Sequence, residues 1–312
     1  GTTQAYVRAF DSNGVSVWSS DLGTHTAEAI DAMVVGSDDS VTLTIKQAAG
    51  KVNTLHLDAT GAIVWDKVMP GCTLNLYCAS ALALTSSGQI VETLGEVSLT
   101  KTYLIDTSGT TLWTKSHNTG VSTLGILPNK ITVTANGYVV THPMSTWEFD
   151  SAGNQVWTTA FGSYANVAED GAGNLYVPNT GKISKLDSAG NLLSDIALDK
   201  NIVTQLEWRE DLQRLIVLSQ YADTDTSVAG FITLKSQPIL RVFDNTAFQR
   251  TKASGVMSTT SGNACTPFPS CATVTVVNGD QWSNFATTAD KKMIVSGMVQ
   301  GTSRYAAAYT IN

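Results

Sequence analysis

Short stretches of alternating apolar and polar residues fill the chain, each broken by a cluster of Asp, Asn, Ser or Gly. Alternation with a period of two marks half-buried strands, and clusters of this kind mark the turns between them. One unit recurs: an alternating strand, Asp, two residues, Gly, three residues, Trp. It reads AYVRAFDSNGVSVW, with Asp11, Gly14 and Trp18, then NTLHLDATGAIVW, with Asp58, Gly61 and Trp65. KTYLIDTSGTTLW carries Asp106, Gly109 and Trp113, and STWEFDSAGNQVW carries Asp150, Gly153 and Trp157. A fifth copy keeps Asp187 and Gly190 but has Ser194 in the Trp place. A sixth keeps Asp244 and has Ala247 in the Gly place and Thr251 in the Trp place. The pattern predicts a β-hairpin. Asp bonds amides ahead of it, Gly supplies a positive φ, and Trp fills space between neighbouring sheets.

Between successive hairpins lie two further strands, as in SALALTSSGQIVETLG and NKITVTANGYVVTH. A period of about 40–50 residues made of strand and turn alone predicts a β-propeller with four strands per blade. The inner strands are A and B, and the Asp-Gly-Trp hairpin is C and D. Six A–B pairs occur beside seven copies of strand C. The reading is a single domain over 1–312 with six blades, the last closed by pairing of N- and C-terminal strands; seven blades is the alternative.

The Asp-x-x-Gly-x-x-x-Trp hairpin resembles the repeat of the PQQ-like, or quinoprotein-type, β-propellers. That superfamily includes secreted dehydrogenases and non-enzymatic envelope-assembly lipoproteins of the BamB type. The resemblance implies that Trp18, Trp65, Trp113 and Trp157 dock adjacent blades. It carries no enzyme with it, because the chain has neither the adjacent-cysteine pair of the dehydrogenases nor their catalytic and calcium-binding motifs. No cofactor and no metal site are expected.

Composition narrows the function classes. Charged residues make up 14%, the net charge is −7, and the chain holds 41 Thr and 29 Ser. A nucleic-acid partner would leave a basic footprint, and a membrane helix an apolar run of about 18 residues; neither is present. Cys72/Cys78 and Cys265/Cys271 form two pairs of equal spacing in polar segments. They fit disulfides and an oxidising compartment better than a zinc site, with local pairing favoured among the three possible connectivities. The opening residues are read as those of a mature, secreted, periplasmic or surface protein, and the lack of an Asn-x-Ser/Thr site leans towards a bacterial source.

Strand order puts the D–A and B–C connections at one end of each sheet and the A–B and C–D turns at the other. The D–A connections, 19–29, 66–80, 114–130 and 252–281, are read as long and irregular, and long loops on a rigid scaffold are where binding residues concentrate. His25 and His117 fall in them and His142 in a B–C connection. Tyr77, Tyr164 and Phe268 also lie in D–A connections, and Trp282 enters the last inner strand beside one. These seven are the candidate binding residues; none is assigned a catalytic role. The expected function is a monomeric binding or scaffold module for a protein or glycan of the cell surface or envelope. A polysaccharide hydrolase or lyase with its site at the central channel mouth is the second reading. A structural repeat domain of a larger surface protein is the third.

Overall fold

A computed structural model describes residues 4–11, 13–47, 51–70, 79–95, 99–118, 130–142, 145–198, 201–225, 233–244, 250–252, 281–287, 292–299 and 303–310. Among them every regular element is a strand. The contacts divide the chain into two compact units, Gly1–Ala160 and Phe161–Asn312.

In the first unit, β1 (Gln4–Phe10), β2 (Ser16–Val35), β3 (Val41–Gln47), β4 (Val52–Leu57) and β5 (Ile63–Met69) form one antiparallel sheet in chain order. A second contains β6 (Ala79–Leu84), β7 (Ile90–Gly95), β8 (Leu99–Ile105) and β9 (Thr111–Asn118). The third contains β10 (Lys130–Thr134), β11 (Gly137–His142), β12 (Ser145–Asp150) and β13 (Gln155–Thr159). The second unit repeats the plan. It has β14 (Ala168–Glu169), β15 (Leu175–Asn179), β16 (Lys182–Leu186) and β17 (Leu192–Ala197), then β18 (Asn201–Arg209), β19 (Arg214–Asp225), β20 (Thr233–Asp244) and β21 (Arg250–Lys252). Three strands, β22 (Gln281–Thr287), β23 (Lys292–Val299) and β24 (Ser303–Thr310), form its last sheet.

Two expectations about connections need correction. Residues 19–29 are not a loop: β2 runs unbroken through them, its first half paired with β1 and its second with β3. The stretch holds Asp21 and Gly23, but pairing with β1 on one side and β3 on the other carries the strand through them. His25 therefore sits on a strand. The D–A connections are also not uniformly long, since only 198–200 separate β17 from β18.

The Asp-Gly hairpins form as their chemistry dictates. In each of the repeats at Asp58, Asp106, Asp150 and Asp187, Oδ1 accepts the amides two and four residues on. The Gly amide donates back to the Asp carbonyl, with φ between +77° and +85° at Gly61, Gly109, Gly153 and Gly190. Asp170 builds the same turn between two inner strands.

The glycines have a second role. A Cβ at Gly61 would lie 2.5 Å from Cε3 of Trp18, one at Gly109 3.0 Å from the Trp65 ring, and one at Gly153 3.1 Å from Trp113. Each indole thus lies on the bare backbone of the next repeat's turn. Trp65 adds a hydrogen bond from Nε1 to the Thr107 carbonyl at 3.1 Å, and Lys67 Nζ reaches the Gly109 carbonyl at 2.9 Å.

The second sheet is covered on both faces, by the first and by the third, which explains its burial pattern. All six residues of β7 are buried, whereas β5, an outer strand, is mostly exposed. Val52 and Met69 pack on Leu82, Ile90 and Ile105 of the second sheet, whose Val91 and Leu104 pack on Tyr138, Val140 and Phe149 of the third. In the second unit, Tyr176 and Ile183 meet Leu206, Leu215 and Phe243. The threonine richness has a place here: Thr44, Thr54, Thr93 and Thr102 are fully buried and bond across strands or sheets. A buried hydroxyl needs such a partner, and Thr offers one on a β-branched frame.

Candidate functional site

Of the seven residues chosen from the sequence, Tyr77 and Phe268 lie outside the described residues, as do Cys72, Cys78, Cys265 and Cys271. For His25 and Trp282 the backbone is defined, with Gln4 opposite Thr26 beside the first and Gly297 opposite the second. Tyr164, in the second unit, is 43% exposed.

The remaining two histidines go to separate aromatic neighbours. His117, opposite Thr100 in β9, has its ring 4.2 Å from that of Phe149. Its Nε2 is buried without a hydrogen-bond partner. Burial, reinforced by Lys115, pushes its pKa down to about 4, so the ring is a neutral packing group at physiological pH. His142 ends β11 opposite Ser145, with its ring 6.1 Å from Trp147, and burial lowers its pKa too. Among the described residues, no three His, Cys, Asp or Glu side chains gather in a way that could hold a metal ion.

The groups that sequence reasoning missed lie between sheets. Glu92 of β7 is fully buried, with its two carboxyl oxygens 2.8 and 2.7 Å from the single hydroxyl of Thr54 in the first sheet. One hydroxyl supplies one hydrogen, so a proton on Glu92 completes the second bond. Burial raises its pKa to about 7, against smaller opposing effects from Thr54 and Lys67. The signal was one acidic residue inside the apolar run IVETLG. Nearby, Ser80 Oγ contacts Thr44 Oγ1 at 2.5 Å and Asp31 Oδ2 at 3.5 Å, and burial raises the Asp31 pKa.

The second unit joins its sheets by carboxamides. Asn166 donates to the Leu206 carbonyl at 2.7 Å and accepts the Leu206 amide at 3.0 Å. Gln205 does the same to Phe285, at 2.7 and 2.8 Å. In both cases a side chain reproduces a strand-like pair across a sheet boundary. Asp170, Lys185 and Tyr176 form a closed cluster, with the Lys185–Asp170 ion pair at 3.0 Å.

Cavities open among the described residues of the first unit. One of about 370 Å³ lies within the first sheet, between the β1–β2 hairpin and the start of β3, against Phe10, Val17, Met33 and Val35. Another of about 230 Å³ lies between the second and third sheets, at the end where the A–B and C–D turns gather.

No protein-family model matches the sequence, and no curated protein matches it either. Similarity lies in the fold. BamB from Moraxella catarrhalis has a TM-score of 0.54 at 13% identity, covering 95% of this chain and 76% of its own. The C-terminal WD40 domain of Sif2 gives 0.54 at 12% identity, covering 87% and 80%. A protein of unknown function from Bacteroides caccae gives 0.50 at 12%, covering 77% and 90%. The repeated antiparallel sheets and these neighbours define the fold class: the chain is an all-β protein with a β-propeller fold.

Proposed function

We propose that this chain is a non-catalytic binding or scaffold propeller of the cell envelope or exterior, holding a protein or glycan through its D–A connections. The reading takes 1–312 as one propeller domain, acting as a monomer. The observation that carries it is where chain length is spent. Residues 70–78, 119–129 and 253–280 all join an outer strand to the next inner strand, whereas the Asp-Gly hairpin turns keep one compact form. Rigid sheets with variable connections at one end suit recognition, because the scaffold fixes the loops at little entropic cost to binding. Tyr77, Phe268 and both cysteine pairs belong to these connections, which supports an oxidising compartment. His117 supports no hydrolase or lyase reading, since its ring faces Phe149 instead of a carboxylate.

The test compares the full chain with a variant in which 253–280 is replaced by a short Gly/Ser linker. Both are applied to a glycan array and to a detergent-solubilised envelope fraction with crosslinking. Binding by the full chain, lost in the variant at unchanged melting temperature, supports the reading. Equal binding by both removes this connection from it, and turnover of a polysaccharide by the full chain overturns it.

A further inference from the structure

We propose that the cavity between the second and third sheets is a binding site for a neutral, hydroxyl-rich ring, a single sugar residue. The cavity arises from a short turn. Five residues, 85–89, join β6 to β7, whereas residues 135–136 alone join β10 to β11, with Thr134 opposite Gly137. Tyr138 packs near the end of its strand against Trp113, ring centroids 6.0 Å apart. The shorter turn leaves this corner uncovered.

The lining then sets the ligand's chemistry. Ser87, Gln89, Thr134, Asn136 and Ser151 bring hydroxyls and carboxamides to a space walled by Trp113 and Tyr138, and no acidic or basic side chain lines it. Uncharged donors and acceptors beside aromatic rings suit a ligand that is polar all round its edge yet carries no charge. Behind this wall, Trp113 Nε1, Thr134 Oγ1 and Tyr138 OH are buried without a hydrogen-bond partner and closed to solvent. At the corresponding corner one sheet earlier, Trp65 Nε1 is bonded to the Thr107 carbonyl. Those three atoms are out of a ligand's reach, so the hydrogen bonds open to it are those of Ser87, Gln89, Asn136 and Ser151 on the rim. The site lies at the opposite end of the sheets from the D–A connections, so it stands or falls independently of the function proposed above.

The test uses the full chain labelled with 5-fluorotryptophan, with Trp65 and Trp113 assigned by Trp→Phe variants. It is titrated with methyl glycosides of glucose, galactose, mannose and N-acetylglucosamine, and with glucuronate as the charged control. The expected result is a saturable shift of the Trp113 resonance with at least one neutral glycoside, and none at Trp65. Asn136→Ala and Gln89→Ala, each on the cavity rim, are expected to weaken it about tenfold with unchanged melting temperature, the effect of about one buried hydrogen bond. The absence of a Trp113 shift with all four glycosides overturns the proposal. So does a shift shared equally with Trp65, an equal response to glucuronate, or full affinity in both rim variants.

Discussion

Glu92→Gln isolates the energetics of one buried proton. The glutamine keeps the size of the side chain, leaves its oxygen to accept from Thr54, and supplies through its NH₂ the hydrogen that the carboxylate lacks. In the folded chain the Glu92 pKa rises from 4.5 to about 7. Where the folded pKa lies above the unfolded one, the folded state holds the extra proton, so stability falls as pH rises through that window. The wild-type chain therefore loses stability between about pH 4.5 and 7 on account of Glu92, and the loss is constant above that. At about 1.4 kcal/mol per unit, the full effect is roughly 3 kcal/mol. Glu92→Gln should match wild type at pH 4 and exceed it by up to roughly 3 kcal/mol at pH 8, or about 6–12 °C in melting temperature. The assay is urea or thermal unfolding of both proteins from pH 4 to 8, read as their difference, because other groups also titrate there. A difference that stays flat across that range would refute the reasoning, as would a variant less stable than wild type at pH 8.

Other outcomes follow from the packing. Gly61→Ala should destabilise by about 2–4 kcal/mol in denaturant unfolding, adding a clash with Trp18 to the strain of a positive φ; Gly14→Ala, at φ +79° with open space around it, should show only the strain, about 1 kcal/mol. Gln205→Ala should remove about 1–3 kcal/mol and accelerate hydrogen exchange at the Phe285 amide, whose partner it deletes. His117 has a folded pKa near 4, below its unfolded value, so it contributes stability above about pH 6.5 that is lost as pH falls towards 4. His117→Phe should flatten that acid limb in pH-dependent unfolding. Intact mass under non-reducing conditions should come out four hydrogens lighter than the reduced chain, with peptide mapping joining Cys72 to Cys78 and Cys265 to Cys271.

The fold was legible because its repeat carries its own turn chemistry. Asp58 and Gly61 define a hairpin without help from the rest of the chain, and Trp65 marks the strand that follows. Six A–B pairs and seven C strands stand among the described elements, as the pattern counts them. What escaped was whatever depends on a neighbouring sheet. β2 passes through 19–29 because β1 and β3 pair with its two halves, a fact absent from the local sequence. His117 read as a loop residue because its partner, Phe149, is 32 positions away in the next sheet. Glu92 offered only an acidic letter in an apolar word, and its meaning depends on Thr54 across the boundary. The sugar-sized cavity was equally hidden, being the difference in length between two turns that are unremarkable singly.

The indole lying on the following repeat's glycine also limits the order in which such a chain can change over generations. While a ring covers that glycine, a methyl group arriving there meets it head-on, so bulk must leave the upstream strand before the downstream turn is free to vary. The fifth and sixth repeats, with Ser194 and Ala247 in the two places, have the composition this succession leaves behind.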